Sequence, residues 1–246
     1  MDGGYVPGTY AKRKPGSEKL VGHYVRQWEN RQLAQKEEHL AATTSTALPP
    51  CIAFSRKIGV GALEVADLVA KRLGYKVADR ELIEQIASQT NISEKAIAYF
   101  DERFPGYVNR TFKYLFGEKA FIDSDYSRHL ISAVIAIAGL ESTLFVGRGA
   151  HLILPRERVL AVRCIGSDAY RTRRIADIMG IDEAEAKKKL PGIDKDQASF
   201  FKKVFGKKAA SPYEFDMVVN LDHFHRPGDV AEIVALAFGK KFKDAG

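Results

Sequence analysis

The sequence has little of what disulfide-rich and membrane proteins depend on. Among 246 residues there are two cysteines, Cys51 and Cys164, and each lies within a short apolar stretch. That context favours small buried side chains over a disulfide framework or a metal site. No apolar run approaches the ~20 residues that a membrane-spanning helix needs, so no membrane partner is expected. The opening residues, Met-Asp-Gly-Gly-Tyr, do not resemble a secretory signal, and we expect a protein of the reducing cytoplasm.

Positive charge is in excess, and it is unevenly distributed. The chain has 38 Lys and Arg against 31 Asp and Glu, and much of the excess falls within residues 163–208. A basic segment of this kind suits a phosphate-rich small ligand or a nucleic acid, and solvated helix faces are a third interpretation. Few aromatic side chains interleave with these charges, which makes nucleic acid the weakest of the three.

The chain divides, by its pattern, into an N-terminal appendage at 1–50 and a main domain at 51–246. Residues 41–50 have the composition of a linker, and residues 18–40 place apolar side chains at helical spacing. This predicts one amphipathic helix with flexible ends. Its Trp28 is expected to dock on the core of the chain itself or on a sister subunit, so residues 18–40 are a candidate surface for a homo-oligomer or a protein partner.

From residue 51 onward, short apolar runs alternate with longer amphipathic stretches. Strands are predicted at 52–55, 144–147, 159–165 and 215–220, with a short strand before Asp79. Helices are predicted at 61–73, 81–89, 93–103, 128–140, 168–179, 182–190 and 230–238. Buried-looking strands separated by helices predict an α/β fold with a mostly parallel sheet flanked by helices.

The first strand-to-helix junction contains two glycines, Gly59 and Gly61, separated by one residue. In this position they predict a turn whose backbone amides converge on an anion at the start of the helix. A tight strand-to-helix connection would use the same glycines. The full Walker pattern is absent, because Ala62 and Leu63 stand in place of its lysine and its magnesium-binding hydroxyl.

Arginines follow at two further junctions. Arg148 lies in a Gly-Arg-Gly turn at the carboxyl end of a predicted strand, the edge at which open α/β sheets bind ligands. Arg171 and Arg174, at i and i+3 near the start of a predicted helix, share one face. Guanidinium groups suit phosphoryl transfer, where catalysis consists mainly of positioning and of neutralising phosphate charge.

Six segments carry a resemblance to a known family. In chain order they are 54–64, 76–83, 145–150, 171–174, 194–197 and 213–220, among them Lys-Val-Ala-Asp-Arg-Glu-Leu-Ile, Phe-Val-Gly-Arg-Gly-Ala and Tyr-Glu-Phe-Asp-Met-Val-Val-Asn. In this order and spacing they resemble the cytidylate kinase-like family, relatives of the P-loop nucleoside monophosphate kinases. The resemblance covers about residues 51–238.

The resemblance implies a P-loop NTPase-type sheet with a helical lid at about 182–208. It also implies transfer of the γ-phosphoryl group of ATP, with Mg²⁺, to CMP, dCMP or a similar nucleotide. Cofactor contacts are then expected from Ser55, Arg56, Lys57, Gly59, Val60, Gly61 and Ala62, with catalytic roles for Arg56, Arg148, Arg171 and Arg174. Acceptor binding is expected from Asp79, Arg148, Asp194 and Asn220.

Several of these residues also have a purely local interpretation. Asp79 is equally well explained as a helix N-cap, and Asn220 as the cap of a turn. Asp194 is a candidate either for orienting lid arginines or for binding the waters of Mg²⁺.

The chain departs from the family pattern at its most charged positions. Val60, Ala62 and Leu63 stand where serine, glycine and arginine are usual, and Gln197 replaces a usual lid arginine. One arginine contact to the transferred phosphoryl group is worth about 10³-fold or more in rate, so the departures bear directly on activity. Arg56 and Lys57 are the candidates for supplying the missing charge. The alternative function is a nucleotide-binding regulatory or interaction protein that has kept the fold and lost the chemistry.

Overall fold

The computed structural model describes residues 17–38, 48–88, 125–207 and 210–242. Five predicted features lie wholly or partly outside these ranges. They are the helix at 93–103, the last residue of the helix at 81–89, the last residue of the lid at 208, the end of the main domain at 243–246, and the parts of the N-terminal appendage at 1–16 and 39–47.

The described residues contain a sheet of five parallel strands in the order β2-β3-β1-β4-β5. The strands are β1 Cys51–Arg56, β2 Lys76–Asp79, β3 Thr143–Val146, β4 Val159–Ile165 and β5 Met217–Asn220. The middle strands β3 and β1 are buried almost throughout, as expected for a parallel sheet covered on both faces. The predicted α/β class with a parallel sheet is confirmed.

Eight α-helices occur in the same ranges. They are α1 Ser17–Glu38, α2 Ala62–Leu73, α3 Arg80–Ser88, α4 Asp125–Leu140, α5 Ala150–Ile153, α6 Asp168–Met179, α7 Glu183–Phe205 and α8 Pro227–Lys241. Short 3₁₀ turns, Pro212–Glu214 and Leu221–His223, flank β5.

Helix α7 is much longer than the helix predicted at 182–190. The prediction ended before Pro191, because a proline removes a backbone donor and interrupts most helices. Here the helix continues past Pro191 to Phe205. Leu190 and Ile193, on either side of the proline, are both buried in a cluster with Ile58 and Ile175, and this packing holds the two halves in one helix.

The two faces of the sheet bury separate apolar clusters. Cys51 and Ala53 of β1 point to the cluster that includes α1, α3, α4 and α5, whereas Ile52 and Phe54 point to the cluster with α2 and α8. Both cysteines are free and buried, in different clusters, and burial raises the pKa of each thiol to about 12. They act as small apolar side chains, as predicted.

Helix α1 packs on α3 and α4. Tyr24 and Trp28 are almost fully buried, with their ring centroids 6.2 Å apart, and they belong to the cluster that contains Cys51. His23 adds a polar contact, since its Nε2 lies 2.5 Å from Nζ of Lys76. Of the two alternatives for Trp28, the structure shows docking on the chain's own core. Contact of residues 18–40 with a second subunit or another partner stays a prediction.

Because all five strands are parallel, their carboxyl ends meet at one edge of the sheet. The loop after β1, the start of α3 after β2 and the Gly-Arg-Gly turn after β3 therefore lie side by side. Within the described residues, no helix combines the length and the apolar character needed to cross a membrane.

Candidate functional site

The loop between β1 and α2 has two residues in the left-handed region, Gly59 with φ +85° and Gly61 with φ +81°. A Cβ at Gly59 would lie 2.9 Å from Cγ1 of Ile175 and 3.1 Å from the backbone oxygen of Arg171. Only glycine meets both demands, the positive φ and the close approach of α6. Gly61 is the N-cap of α2, so the free amides of the first helical turn face outward from this loop.

A cavity of about 280 Å³ lies above this loop and is called the loop cavity. Its walls are the loop with the first turn of α2, the residues Asp79 and Arg80 at the start of α3, and Arg174 of α6. Arg56 lies at its base. Backbone amides and three arginines are components of a phosphate-binding site, and four carboxylates also line this cavity.

Arg174, a predicted catalytic residue, lines this cavity, and its guanidinium is paired. Nη2 donates to Oε1 of Glu64 at 2.5 Å, and the guanidinium covers Gly61, whose Cβ would lie 3.0 Å from Cζ of Arg174. The Glu64 side chain is 53% exposed, so the pair is close to solvent and contributes little to stability. An anion on the loop amides competes with Glu64 for the same guanidinium.

Arg171 occupies a different position, although it shares a helical face with Arg174. Its side chain is completely buried, and Nε donates to the backbone oxygen of Ile58 at 2.7 Å. The two terminal nitrogens donate to both oxygens of Asp194, and one of them also donates to Asp168 at 2.9 Å. The structure thus brings Arg171 and Asp194 together. They join the loop, α6 and α7, and Arg171 does not line the loop cavity.

Arg148 lies in the turn between β3 and α5, where three successive residues have positive φ. The values are +90° for Gly147, +51° for Arg148 and +72° for Gly149. A Cβ at Gly149 would lie 2.5 Å from the ring of Phe205, so α7 packs directly against this turn. Left-handed backbone is unusual for a residue other than glycine, and here it aims a long side chain across the carboxyl edge of the sheet.

The Arg148 guanidinium is held between a carboxylate and an aromatic ring. Its Nη2 pairs with Oε1 of Glu84, and its Cζ lies 4.0 Å from the centroid of the Phe200 ring. The buried Nε has no hydrogen-bond partner among the described residues. Burial lowers the pKa of Arg148 to about 10, which leaves it charged at neutral pH.

Glu84 links this arginine to its neighbours. Its Oε2 accepts from Nε of Arg80 at 3.1 Å, and its Oε1 accepts from the hydroxyl of Tyr126 at 3.5 Å. None of Glu84, Tyr126 and Phe200 was predicted as a site residue. The available signal was the i, i+4 spacing of Arg80 and Glu84 directly after Asp79; the other two residues lie far from Arg148 in sequence.

A second cavity, of about 340 Å³, opens beside Arg148 and is called the Arg148 cavity. It lies between the Gly-Arg-Gly turn, α3, α4 and α7, and Arg56 and Arg80 line both this cavity and the loop cavity. Gln197 donates from Nε2 to the backbone oxygen of Arg56 at 2.6 Å. Gln197, which stands in place of a lid arginine, therefore holds Arg56 at the point where β1 leads into the loop.

The other predicted cofactor residues lie at or beside the loop. Val60 and Ala62 line the loop cavity and are buried. Ser55 is also buried, and its Oγ accepts from Nη1 of Arg163 at 2.6 Å. Lys57 points away from the loop cavity, with Nζ 4.0 Å from Oδ2 of Asp194.

Asp79 and Asn220 make the local contacts that their positions suggested as alternatives. Oδ1 of Asp79 accepts from the backbone amide of Leu82 at 3.0 Å, which caps α3, and the residue also lines the loop cavity. Oδ1 of Asn220 accepts from the amide of Asp222 at 3.1 Å and caps the turn after β5. Asn220 lines neither cavity.

Metal ligands are sparse in this region. In the part of the chain that the structure describes, no three His, Cys, Asp or Glu side chains are grouped so as to hold a metal ion. Four carboxylates line the loop cavity, those of Glu64, Asp67, Asp79 and Glu81, and Glu64 is paired with Arg174. Any metal here would depend on ligand oxygens for most of its coordination.

Comparison with known sequences gives one family. The sequence model of the cytidylate kinase-like family matches residues 51–223, which contain the loop, the Gly-Arg-Gly turn and α7. No curated protein matches the chain.

Comparison with solved structures gives similar folds at low identity. An uncharacterized protein from Eubacterium ventriosum is 20% identical, with a TM-score of 0.59 over 78% of this chain and 98% of that one. Shikimate kinase from Bacteroides thetaiotaomicron is 14% identical, with a TM-score of 0.40 over 79% and 98%. A gluconokinase from Sinorhizobium meliloti is 12% identical, with a TM-score of 0.46 over 80% and 96%.

Proposed function

The chain belongs to the cytidylate kinase-like family, and we propose that it binds ATP at the phosphate loop and transfers the γ-phosphoryl group to a nucleotide held at Arg148. Membership of the family indicates a phosphotransferase of the nucleotide-kinase type. CMP and dCMP are the acceptors that we propose, with ATP and Mg²⁺ as the cofactors.

The observation that carries the proposal is the position of Arg56 between two cavities. The loop cavity and the Arg148 cavity open at the same edge of the sheet, and Arg56 and Arg80 line both. Phosphoryl transfer requires donor and acceptor oxygens to be held roughly in line, with positive charge between them. Two adjacent anion sites that share arginines meet this requirement.

The loop cavity fits a triphosphate through its backbone and its arginines. Amides at the start of α2 are available to phosphate oxygens, and Arg56, Arg80 and Arg174 supply charge. Phosphate oxygens near Gly61 would displace the Arg174 guanidinium, which covers this glycine. Arg174 would exchange Glu64 for a phosphate oxygen. These arginines take the part that lysine plays in the Walker pattern, and Arg56 is the residue best placed to act on the transferred group.

The protein offers few oxygen ligands for Mg²⁺, which fits an ion bound mainly by oxygens of the nucleotide. Leu63 supplies no hydroxyl, so Asp79 would hold the ion through its free oxygen together with phosphate oxygens. When bound, Mg²⁺ neutralises phosphate charge. Arg171 and Asp194 act indirectly in this proposal, since they fix Ile58 and the position of α7 over the loop.

The acceptor phosphate is proposed to bind at Arg148. Its buried Nε still has a hydrogen bond to donate, and Phe200 and Glu84 fix the plane of the guanidinium. Glu84 keeps Arg80 as a partner when Arg148 turns to a phosphate. Asn220 makes only a local contact, so we assign it a role in the turn after β5, and its contact with a nucleotide stays a prediction.

The test is ADP release by the full chain with Mg-ATP and, separately, CMP, dCMP, UMP, AMP and GMP. Turnover is expected with a cytidine nucleotide. Arg148→Met, which keeps the contact with Phe200, is expected to lower kcat/KM for the acceptor about 100-fold, because a charge-assisted hydrogen bond to phosphate is lost. Arg128→Met, at an exposed position on α4, is the matched control. Equal turnover in both variants would overturn the role of Arg148.

One observation favours the second candidate, a nucleotide-binding protein without turnover. Three features around the loop reduce the positive charge available for phosphoryl transfer. Glu64 holds Arg174, Leu63 in α2 brings no cation or hydroxyl, and Gln197 in α7 replaces a lid arginine. ATP binding by calorimetry with no ADP release from any acceptor would establish this function. Loss of binding in Arg174→Met would then show that the loop is the binding site.

A further inference from the structure

A third cavity, of about 390 Å³, opens on a neighbouring face of α7 and is called the Arg163 cavity. Gln197 and Phe201 separate it from the Arg148 cavity and line both. Arg163 of β4 forms another part of the wall, together with Lys207, Ala210 and Glu214 from the segment before β5. It shares no lining residue with the loop cavity, and Arg56, Arg80 and Arg148, which the proposed function assigns to the nucleotides, do not line it.

Arg163 is the unusual residue of this cavity. It lies in the middle of the sheet, in register with Ser55, on a strand whose other side chains up to Ile165 are apolar or small. Its only hydrogen bond among the described residues goes from Nη1 to Oγ of Ser55, and its Cζ lies 5.7 Å from the centroid of the Phe215 ring. No described carboxylate lies within ion-pair distance of it. A largely buried guanidinium without a counter-ion is energetically costly.

The two carboxylates that line the cavity are already engaged. Asp194 is paired with the buried Arg171, and Glu214 accepts from Nζ of Lys207 at 2.7 Å. Behind Glu214, His151 has its pKa lowered to about 4 by burial, so it is neutral at pH 7. Burial lowers the pKa of Arg163, and the charge of Glu214 raises it by less, so the surroundings of Arg163 offset only part of the cost of burying its charge.

Two lysines lie at the rim. Lys57 is about half-exposed, with Nζ 4.0 Å from Asp194, and Lys207 is 37% exposed and already paired with Glu214. With Arg163, the lining carries three cations against two carboxylates. Phe201 and Ala198 give the cavity an apolar side. A volume of a few hundred Å³, an apolar wall and a few convergent polar groups are typical of small-molecule sites.

We propose that the Arg163 cavity binds a phosphate-bearing small molecule, with Arg163 as the principal contact and Lys57 and Lys207 at the rim. Arginine and lysine together suit a phosphate group. The guanidinium offers a planar pair of donors, and each ammonium group adds a positive charge without a fixed donor direction. Lys57 is the one residue of the phosphate loop that lines the site, which would be present whether or not the chain transfers phosphoryl groups.

The test is a titration of the ¹⁵N-labelled full chain with inorganic phosphate, followed through the arginine Nε–H signals. The Arg163 signal is identified by its loss in Arg163→Met, or in Arg163→Lys if the first variant fails to fold. We expect this signal to shift with saturation in the wild-type chain. Lys207→Gln should weaken the binding about threefold, and Arg174→Met, which alters only the loop cavity, should leave it unchanged.

The control for a general charge effect is Lys187→Gln, an exposed lysine on α7. It should leave the titration unchanged. The proposal is overturned if the Arg163 signal does not move, or if Lys187→Gln weakens the binding as much as Lys207→Gln does. A shift that disappears in Arg174→Met would also overturn it, because the phosphate would then be bound at the loop. A failure of ATP binding leaves this test unaffected.

Discussion

The junction around Arg171 and the turn around Arg148 each bury a guanidinium near the carboxyl edge of the sheet, yet they bury it in different ways. Arg171 has no exposed surface, and its donors meet Ile58, Asp168 and Asp194. Arg148 shares its one carboxylate, Glu84, with Arg80, and its buried Nε has no described partner.

The difference separates a structural arginine from one available to a ligand. A buried guanidinium whose donors are all used stabilises the elements that it joins, and removing it leaves other buried groups unpaired. One with a donor left over beside a cavity is costly to the free protein and gains from a bound anion. Four predictions test this comparison through the free energy of unfolding.

The largest effect is expected from Arg171→Met. The substitution leaves the backbone oxygen of Ile58 and the carboxylate of Asp194 without their main partner, and we expect a loss of about 4 kcal/mol. Urea unfolding measures it, and Arg173→Met, an exposed arginine two residues along the same helix, is the control with little change. A loss below about 1 kcal/mol would contradict the structural role.

The next largest effect is expected from His151, whose burial in the folded chain favours the neutral form of the imidazole. Its pKa is lowered to about 4 by burial, so the unfolded chain, with a pKa of about 6.5, binds the proton more tightly. Stability contributed by the neutral ring is therefore complete above about pH 6.5 and is lost as the pH falls toward 4, by up to about 3 kcal/mol. Urea unfolding between pH 7 and 4 should show this dependence in the wild-type chain and a shallower one in His151→Gln.

A smaller effect is expected from Gly59→Ala, which tests how tightly the Arg171 junction packs on the loop. The added Cβ would meet Ile175 and the backbone of α6 in a left-handed conformation, and the expected loss is about 2 kcal/mol. Gly180→Ala has a similar φ of +64° with open space around it, and about 1 kcal/mol is expected there. Equal losses would mean that the approach of α6 imposes no constraint on the loop.

The smallest effect is expected from Arg148→Met. Glu84 keeps Arg80, and the methionine stem keeps its contact with Phe200, so the change in unfolding free energy should stay below about 1 kcal/mol. A loss as large as that of Arg171→Met would place Arg148 among the structural arginines, and the assignment of the acceptor site would fail with it.

Much of the fold could be predicted from local signals. Strand β4 and helix α6 have the bounds that the pattern predicted, 159–165 and 168–179, because an apolar run defines the first, and Ser167 and Gly180 cap the second. The continuation of α7 past Pro191 could not be predicted, since it depends on packing against Ile58 and Ile175 from other elements.

The residue types around the two adjacent cavities were predictable, and their contacts were less so. Gly59, Gly61 and Arg148 were predicted from their place after strands, Arg174 from its helical spacing to Arg171, and Arg56 from the family resemblance. All of them line one of the two cavities, and their roles stay predictions. The different surroundings of Arg171 and Arg174 were not predicted. Helical spacing puts both residues on one face, but it does not show which neighbouring element covers each of them.

The sequence by itself determined the order of strands and helices, the glycine turn before α2 and the family to which the chain belongs, since these depend on neighbouring residues and their order. Only the tertiary structure decided that Glu84 and Phe200 hold Arg148, that Gln197 holds Arg56, and that Arg163 reaches Ser55 across 108 residues. The physical reason is that burial and ion pairing depend on distance in space. A guanidinium becomes structural or available to a ligand according to the carboxylates that distant segments bring beside it.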